Sequence, residues 1–169
     1  MLVYIALLTA ALLVGADQLI KYLVLEHLTK VSTLPLIQDV LHLTYVENRG
    51  AAFGMFQGQR WILIGVTGLV LAAAVVFLLR GKITARTMIW AIALIISGGI
   101  GNLIDRIFRG FVVDYVDVRL INFYVFNLAD ACVCVGVGLV LLYVLIIEPL
   151  KIKRAKASEL GAGDAGEQN

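Results

Sequence analysis

Charge is scarce in this sequence. Only 15% of its 169 residues are Asp, Glu, Lys or Arg, against roughly a quarter in a soluble domain. Histidine and cysteine are rarer still, with two of each. His27 and His42 lie on different segments, and Cys132 and Cys134, two apart on a helical stretch, face different directions. That inventory argues against a disulfide, a zinc site or any other bound metal, and no motif calls for a cofactor. The net charge of +2 comes without a basic face interleaved with aromatics, which argues against a nucleic-acid partner.

Apolar residues make up 61% of the chain, and they come in long blocks. A helix needs about twenty mostly apolar residues to cross a bilayer. Four blocks qualify, at about 2–25, 61–79, 87–107 and 126–147. Arg80-Gly81 and Glu148-Pro149 close the second and fourth. The first has no basic residue ahead of its apolar run and reads as a retained helix rather than a cleaved leader. The predicted fold class is therefore a membrane protein with an all-α core of four transmembrane helices, forming one domain over residues 1–156. Segments of about 26–60 and 108–125 lie outside the bilayer, and the Gly/Ala-rich tail 157–169 is expected to be disordered. Arg80, Lys82 and Arg86 sit on one side with the Lys/Arg cluster after the fourth block, so both termini are expected in the cytoplasm.

Three carboxylates on three helices then reach a similar depth. At 1.5 Å of rise per residue, Asp17, Asp105 and Asp130 lie roughly 24, 28 and 27 Å from the cytoplasmic helix ends. Asp114 follows in the short loop between the third and fourth helices, inside an apolar stretch that reads as a buried strand edge. Each has an ordinary reading: Asp17 and Lys21 are an i, i+4 pair, and Asp105-Arg106 suits an interfacial cap. Asp130 is harder to explain that way, because an ionised carboxylate facing lipid is costly. Two carboxylates held close together share a proton, so one serves as base on water while the other protonates a carbonyl. Spacing nominates Asp17, Asp105, Asp114 and Asp130 without choosing the pair. A proton- or ion-coupled transporter is the competing reading, but it calls for acids near mid-membrane or strung along a path.

In the first outer segment, Leu41–Val46 alternates as a strand, and Asn48 and Gly50 suit a tight bend. A small sheet on the membrane would offer an extended peptide an edge to pair with. Phe53, Met55, Phe56 and Trp61 are expected as headgroup anchors. Ser97-Gly98-Gly99-Ile100-Gly101-Asn102 permits close helix approach and lets Asn102 reach a neighbouring carboxylate. Gly136 and Gly138 are expected to serve packing as well.

Five motifs in order resemble one family, the bacterial prolipoprotein signal peptidases, or signal peptidase II. They are Asp17-Gln18-Leu-Ile-Lys21, Asn48-Arg-Gly50-Ala-Ala52-Phe53, Gly98-Gly99-Ile-Gly101-Asn102-Leu-Ile-Asp105-Arg106, Gly110-Phe-Val-Val-Asp114, and Phe126-Asn127-Leu-Ala129-Asp130. The resemblance implies a catalytic pair at Asp114 and Asp130. It implies supporting or substrate-contacting roles for Asp17, Lys21, Asn48, Gly50, Asn102, Arg106 and Asn127, with Asp105 organising Arg106. It further implies four transmembrane helices with an extracytoplasmic β-cradle and a short interfacial helix, in the bacterial cytoplasmic membrane with the active site near the outer face. The implied activity is aspartyl endopeptidase cleavage just before the lipidated cysteine of a diacylglyceryl-modified prolipoprotein. Membrane phospholipid and the inhibitor globomycin are the other implied partners, and a monomer is the default state.

Overall fold

The computed structural model describes residues 1–51 and 55–153. The expectations for Ala52, Phe53 and the tail fall outside those residues. Four helices carry the mass of the fold: α1 (Leu2–His27), α2 (Arg60–Leu79), α3 (Arg86–Phe108) and α4 (Leu128–Leu142). The last continues through a π-helical turn, Tyr143–Ile147, to Lys153. All four are long and apolar enough to cross a bilayer.

Burial divides them. α3 is the central helix, with half of its apolar window inside the molecule, while little of α1, α2 or α4 is enclosed. Trp61, Ile62, Val66, Leu69 and Val70 on α2 all point outward, an arrangement stable against lipid and unfavourable in water. Ala6 and Ala10 of α1, Leu71 and Leu78 of α2, and Ile89, Ala93 and Ile96 of α3 close the inner core.

Two glycines set how near α3 and α4 come. A Cβ built at Gly98 would sit 2.1 Å from the Ala129 carbonyl oxygen, and one at Gly136 would sit 2.7 Å from that of Ala91. Both contacts are with backbone, so no side chain can swing away to relieve them. Gly138 departs from the expectation. Beyond its chain neighbours and its own helix backbone, no described atom lies within 4 Å of its Cβ position, because it stands on the outward face of α4.

Outside the helices lies a three-stranded antiparallel sheet in the order β1 (Thr33–Ile37), β2 (Leu41–Asn48), β3 (Val112–Val118). Leu43 and Tyr45 of β2 and Val113 and Tyr115 of β3 pack on Val24 and Leu28 at the end of α1, which seats the sheet on the bundle. A register shift between Leu43 and Val46 lies within the β2–β3 pairing, beyond which Val46 stands opposite Asp114. Among the described residues, the helical turn outside the four spans is a single 3₁₀ turn, Arg119–Ile121.

The fourth helix begins at Leu128, two residues later than the hydropathy suggested. Phe126 is held extended by a bridge to Val116, with backbone bonds of 2.7 and 3.1 Å between the two residues. Asn127 is then the N-cap. Its side chain accepts from the Asp130 amide while the Asp130 carboxylate accepts from the Asn127 amide, a reciprocal capping box. Hydropathy alone does not see such a stop, because Phe126 is as apolar as the helix it precedes.

Candidate active site

The bridge at Phe126 brings β3 beside the start of α4, and so brings Asp114 and Asp130 together. Asn127 spans them. Its Nδ2 donates to Asp114 Oδ1 at 2.6 Å, and its backbone N–H donates to Asp130 Oδ2 at 3.2 Å. Asn48 Nδ2 donates to Asp114 Oδ2 at 3.0 Å, and Asn102 Nδ2 donates to Asp130 Oδ1 at 2.7 Å. All four carboxylate oxygens therefore accept from protein donors.

Each asparagine is held in that orientation from its other end. Asn48 Oδ1 accepts from the Gly50 amide at 3.0 Å, which is the purpose of the tight bend. Asn127 Oδ1 accepts from the Asp130 amide at 2.9 Å, and Asn102 Oδ1 accepts from Lys21 Nζ at 2.9 Å. Since these partners only donate, the amide NH₂ groups must face the carboxylates. A carboxyl proton then has no side-chain acceptor in this ring other than the opposite aspartate, so it is left to the pair and to whatever fills the adjoining space.

That space is a cavity of about 500 Å³ between α2, α3 and α4, lined by Thr67, Asn102, Arg106, Asp114, Asp130 and Cys134. A second recess of about 360 Å³ reaches Asp114 from the sheet side, past Glu47, Asn48 and Gln57. Asp114 is only 2% exposed. Burial, and then the neighbouring Asp130 charge, push its pKa from 3.8 up to about 7, although Asn48, Asn127 and Lys21 pull the other way. Among the described residues, no three His, Cys, Asp or Glu side chains converge as metal ligands would.

A second layer of charge lies behind the asparagines. Lys21 is fully buried and pairs with Asp17 at 2.9 Å and Asp105 at 3.0 Å. Asp17 Oδ1 accepts from the Ala129 amide at 3.1 Å, tying α1 to the first turn of α4. Asp105 also takes Arg109, Gln18 at 3.3 Å and the Val113 amide at 3.1 Å. Those direct partners of Asp105 come from α1, β3 and the end of α3, and its action on Arg106 is through charge rather than a hydrogen bond. Consecutive residues on a helix point about 100° apart, so Asp105 faces α1 and β3. Arg106 instead faces the cavity and donates to the Gly50 carbonyl at 2.9 Å.

Sequence reasoning overlooked Gln18, Arg109 and Arg60. Gln18 and Arg109 complete the Asp105 cluster, with Arg109 donating to Gln18 Oε1 at 3.0 Å. The i, i+4 spacing of Asp105 and Arg109 was an available signal. Arg60 caps the carbonyls of Arg106 and Ile107 at 2.6 and 2.7 Å, a long-range contact with no local mark. Met55, Phe56 and Trp61, expected as headgroup anchors, are exposed, at 53, 58 and 75%.

Four bilayer-length helices around a buried polar site, with an open cavity against it, define a multi-pass membrane protein of enzymatic type. The architecture is similar to that of a bacterial membrane enzyme solved by the in meso method at 2.3 Å, with a TM-score of 0.75 and 32% identity, covering 83% of this chain and 87% of that one. A second such structure, at 1.9 Å, matches equally well, at 31% identity. The family model for signal peptidase (SPase) II matches residues 9–146. The chain is 53% identical over 140 residues to the lipoprotein signal peptidase of Clostridioides difficile (strain 630), covering 81% of this chain and 92% of that protein. It is 42% identical over 140 residues to that of Brevibacillus brevis, covering 82% and 93%. The chain belongs to the signal peptidase II family.

Proposed function

We propose that the chain is an aspartyl endopeptidase that removes signal peptides from diacylglyceryl-modified prolipoproteins, cutting just before the lipidated cysteine. The observation that carries this reading is the Asp114–Asp130 pair, with all four oxygens ringed by oriented donors beside an open cavity. Asp114, with its pKa near 7, carries the shared proton and delivers it to the scissile carbonyl. Asp130 takes a proton from the attacking water, so hydroxide adds to the carbonyl carbon and a tetrahedral diol forms. The diol collapses as the C–N bond breaks: the leaving nitrogen takes the proton from Asp130 while one diol hydroxyl returns a proton to Asp114, which restores the pair. Arg106, positioned by the Gly50 carbonyl, provides positive charge on the cavity wall.

The substrate's acyl chains bring the scissile bond to this depth, at about 0.8 kcal/mol for each buried methylene. Residues 1–156 act as one peptidase domain, a monomer with both termini in the cytoplasm and the site near the outer face. Globomycin competes for the same cavity.

Cleavage of a diacylglyceryl-modified precursor by the purified protein tests the reading. Asp114→Asn and Asp130→Asn should each lower turnover by about a hundredfold to ten-thousandfold while the protein stays folded and inserted. Near-normal turnover by either variant would overturn it.

A further inference from the structure

Lys21 does not line the cavity and is wholly enclosed. Its ammonium has three hydrogens and three acceptors: Asp17 Oδ2, Asp105 Oδ2 and Asn102 Oδ1. The two carboxylates, with Arg109 alongside, account for its charge. The third bond, to a neutral amide oxygen, has no part in that balance.

The ends of an amide side chain have the same shape, so packing alone does not choose between the two orientations of Asn102. Hydrogen bonding does. Among the three asparagines around the aspartates, Asn48 and Asn127 are locked by backbone amides that every residue except proline would supply. Asn102 is locked by a side chain. Asn127 Nδ2 also donates to Asn102 Oδ1, at 3.1 Å, but it shares its two hydrogens among that oxygen, Asp114 at 2.6 Å and the Val113 carbonyl at 3.3 Å. The bond from Lys21 is shorter and charge-assisted, hence about twice as strong as a neutral one.

We propose that Lys21 is a positioning residue for the hydrolysis: it fixes the amide of Asn102 so that Nδ2 donates to Asp130 Oδ1. This rests on the reading of Asp114 and Asp130 as the catalytic pair. Without the ammonium, the longer, neutral and shared bond from Asn127 is what still holds that oxygen; Asn102 can then turn it toward Asp130, and two acceptors face each other unless a proton lies between them. The proton that the pair shares is thereby held on Asp130, the residue that must accept one from water. Turnover suffers while binding in the cavity is untouched.

Lys21→Met alone strands two buried carboxylates, and removing one partner of a buried pair destabilises strongly. The test therefore uses Lys21→Met together with Asp17→Asn, which removes one charge of each sign, and compares it with Asp17→Asn alone. Kinetics on a diacylglyceryl-modified precursor should show kcat lower by about tenfold or more, since a hydrogen bond to a charged group is at stake, with KM unchanged. Asn102→Ala should cost about tenfold in the Asp17→Asn background and under about twofold once Lys21 is gone, the non-additivity expected of one coupled unit. Should the methionine version not fold, the same cycle with Lys21→Leu, which likewise carries no donor, decides the matter in the same way. Equal costs of Asn102→Ala in both backgrounds, or full turnover by the charge-balanced variant, would overturn the proposal. Asp114→Asn and Asp130→Asn run alongside separate the two readings. If they are inactive and the cycle is additive, only the role of Lys21 falls; if they are active, the aspartate pair falls with it.

Discussion

Asp114 is a carboxyl group whose proton is retained by burial and by the charge of its neighbour. With the proton lost as pH rises through about 7, the pair no longer has an acid to offer the carbonyl. Turnover should therefore fall above about pH 7, and an initial-rate profile on the purified enzyme checks this. Stability should move in the same direction. The folded state holds this proton to a higher pH than the unfolded chain, so the contribution is complete below 3.8 and is lost as pH climbs toward 7. Thermal unfolding of Asp114→Asn should lack that slope. Lys21 illustrates how legible single residues were. Its pairing with Asp17 follows from i, i+4 spacing, but its bonds to Asp105 and Asn102 span 84 and 81 positions of sequence.

Elements bring these residues into register. α4 meets α3 where Gly98 lies under the Ala129 carbonyl, one residue before Asp130. Adding a methyl group there forces the helices apart and moves Asp130 from Asn102. Gly98→Ala should lower stability by about 1–3 kcal/mol, the usual cost of overpacking, and activity by more than that loss explains. Gly138→Ala on the outward face should do neither, and thermal unfolding and turnover of the two variants give the comparison. The glycine pattern predicted close helix contact, yet it did not separate Gly136, which needs its missing side chain, from Gly138, which does not. The strand at Leu41–Val46 was readable from its alternation. The start of α4 was not, because Asn127 acts as a cap only once β3 holds Phe126 extended.

At the level of the whole molecule, α3 is the most enclosed of the four helices while α1, α2 and α4 present most of their apolar surface outward. Loop charge gives this bundle its proposed direction across the membrane. On that proposal the sheet and the aspartate pair lie at the outer face, and the α2–α3 loop faces the cytoplasm. Cysteines introduced at Lys30 and at Lys82, each in a chain whose own Cys132 and Cys134 are replaced by alanine, test this in intact cells. A membrane-impermeant thiol reagent should label the Lys30→Cys protein and leave the Lys82→Cys protein unlabelled until the membrane is broken. The reverse pattern would invert the proposed topology.

The four spans were determined by the sequence itself, because crossing a bilayer depends on the length and apolarity of contiguous residues. So was the similar depth of Asp17, Asp105 and Asp130, since helix rise is constant. Tertiary structure decided how those carboxylates divide. Asp17 and Asp105 meet the same ammonium behind the asparagines, while Asp114 and Asp130 meet each other's field beside the cavity. Depth along a helix is one coordinate. The direction in which a side chain points, and the donors that reach it from other elements, exist only once α1, β2, β3 and α4 have packed around α3.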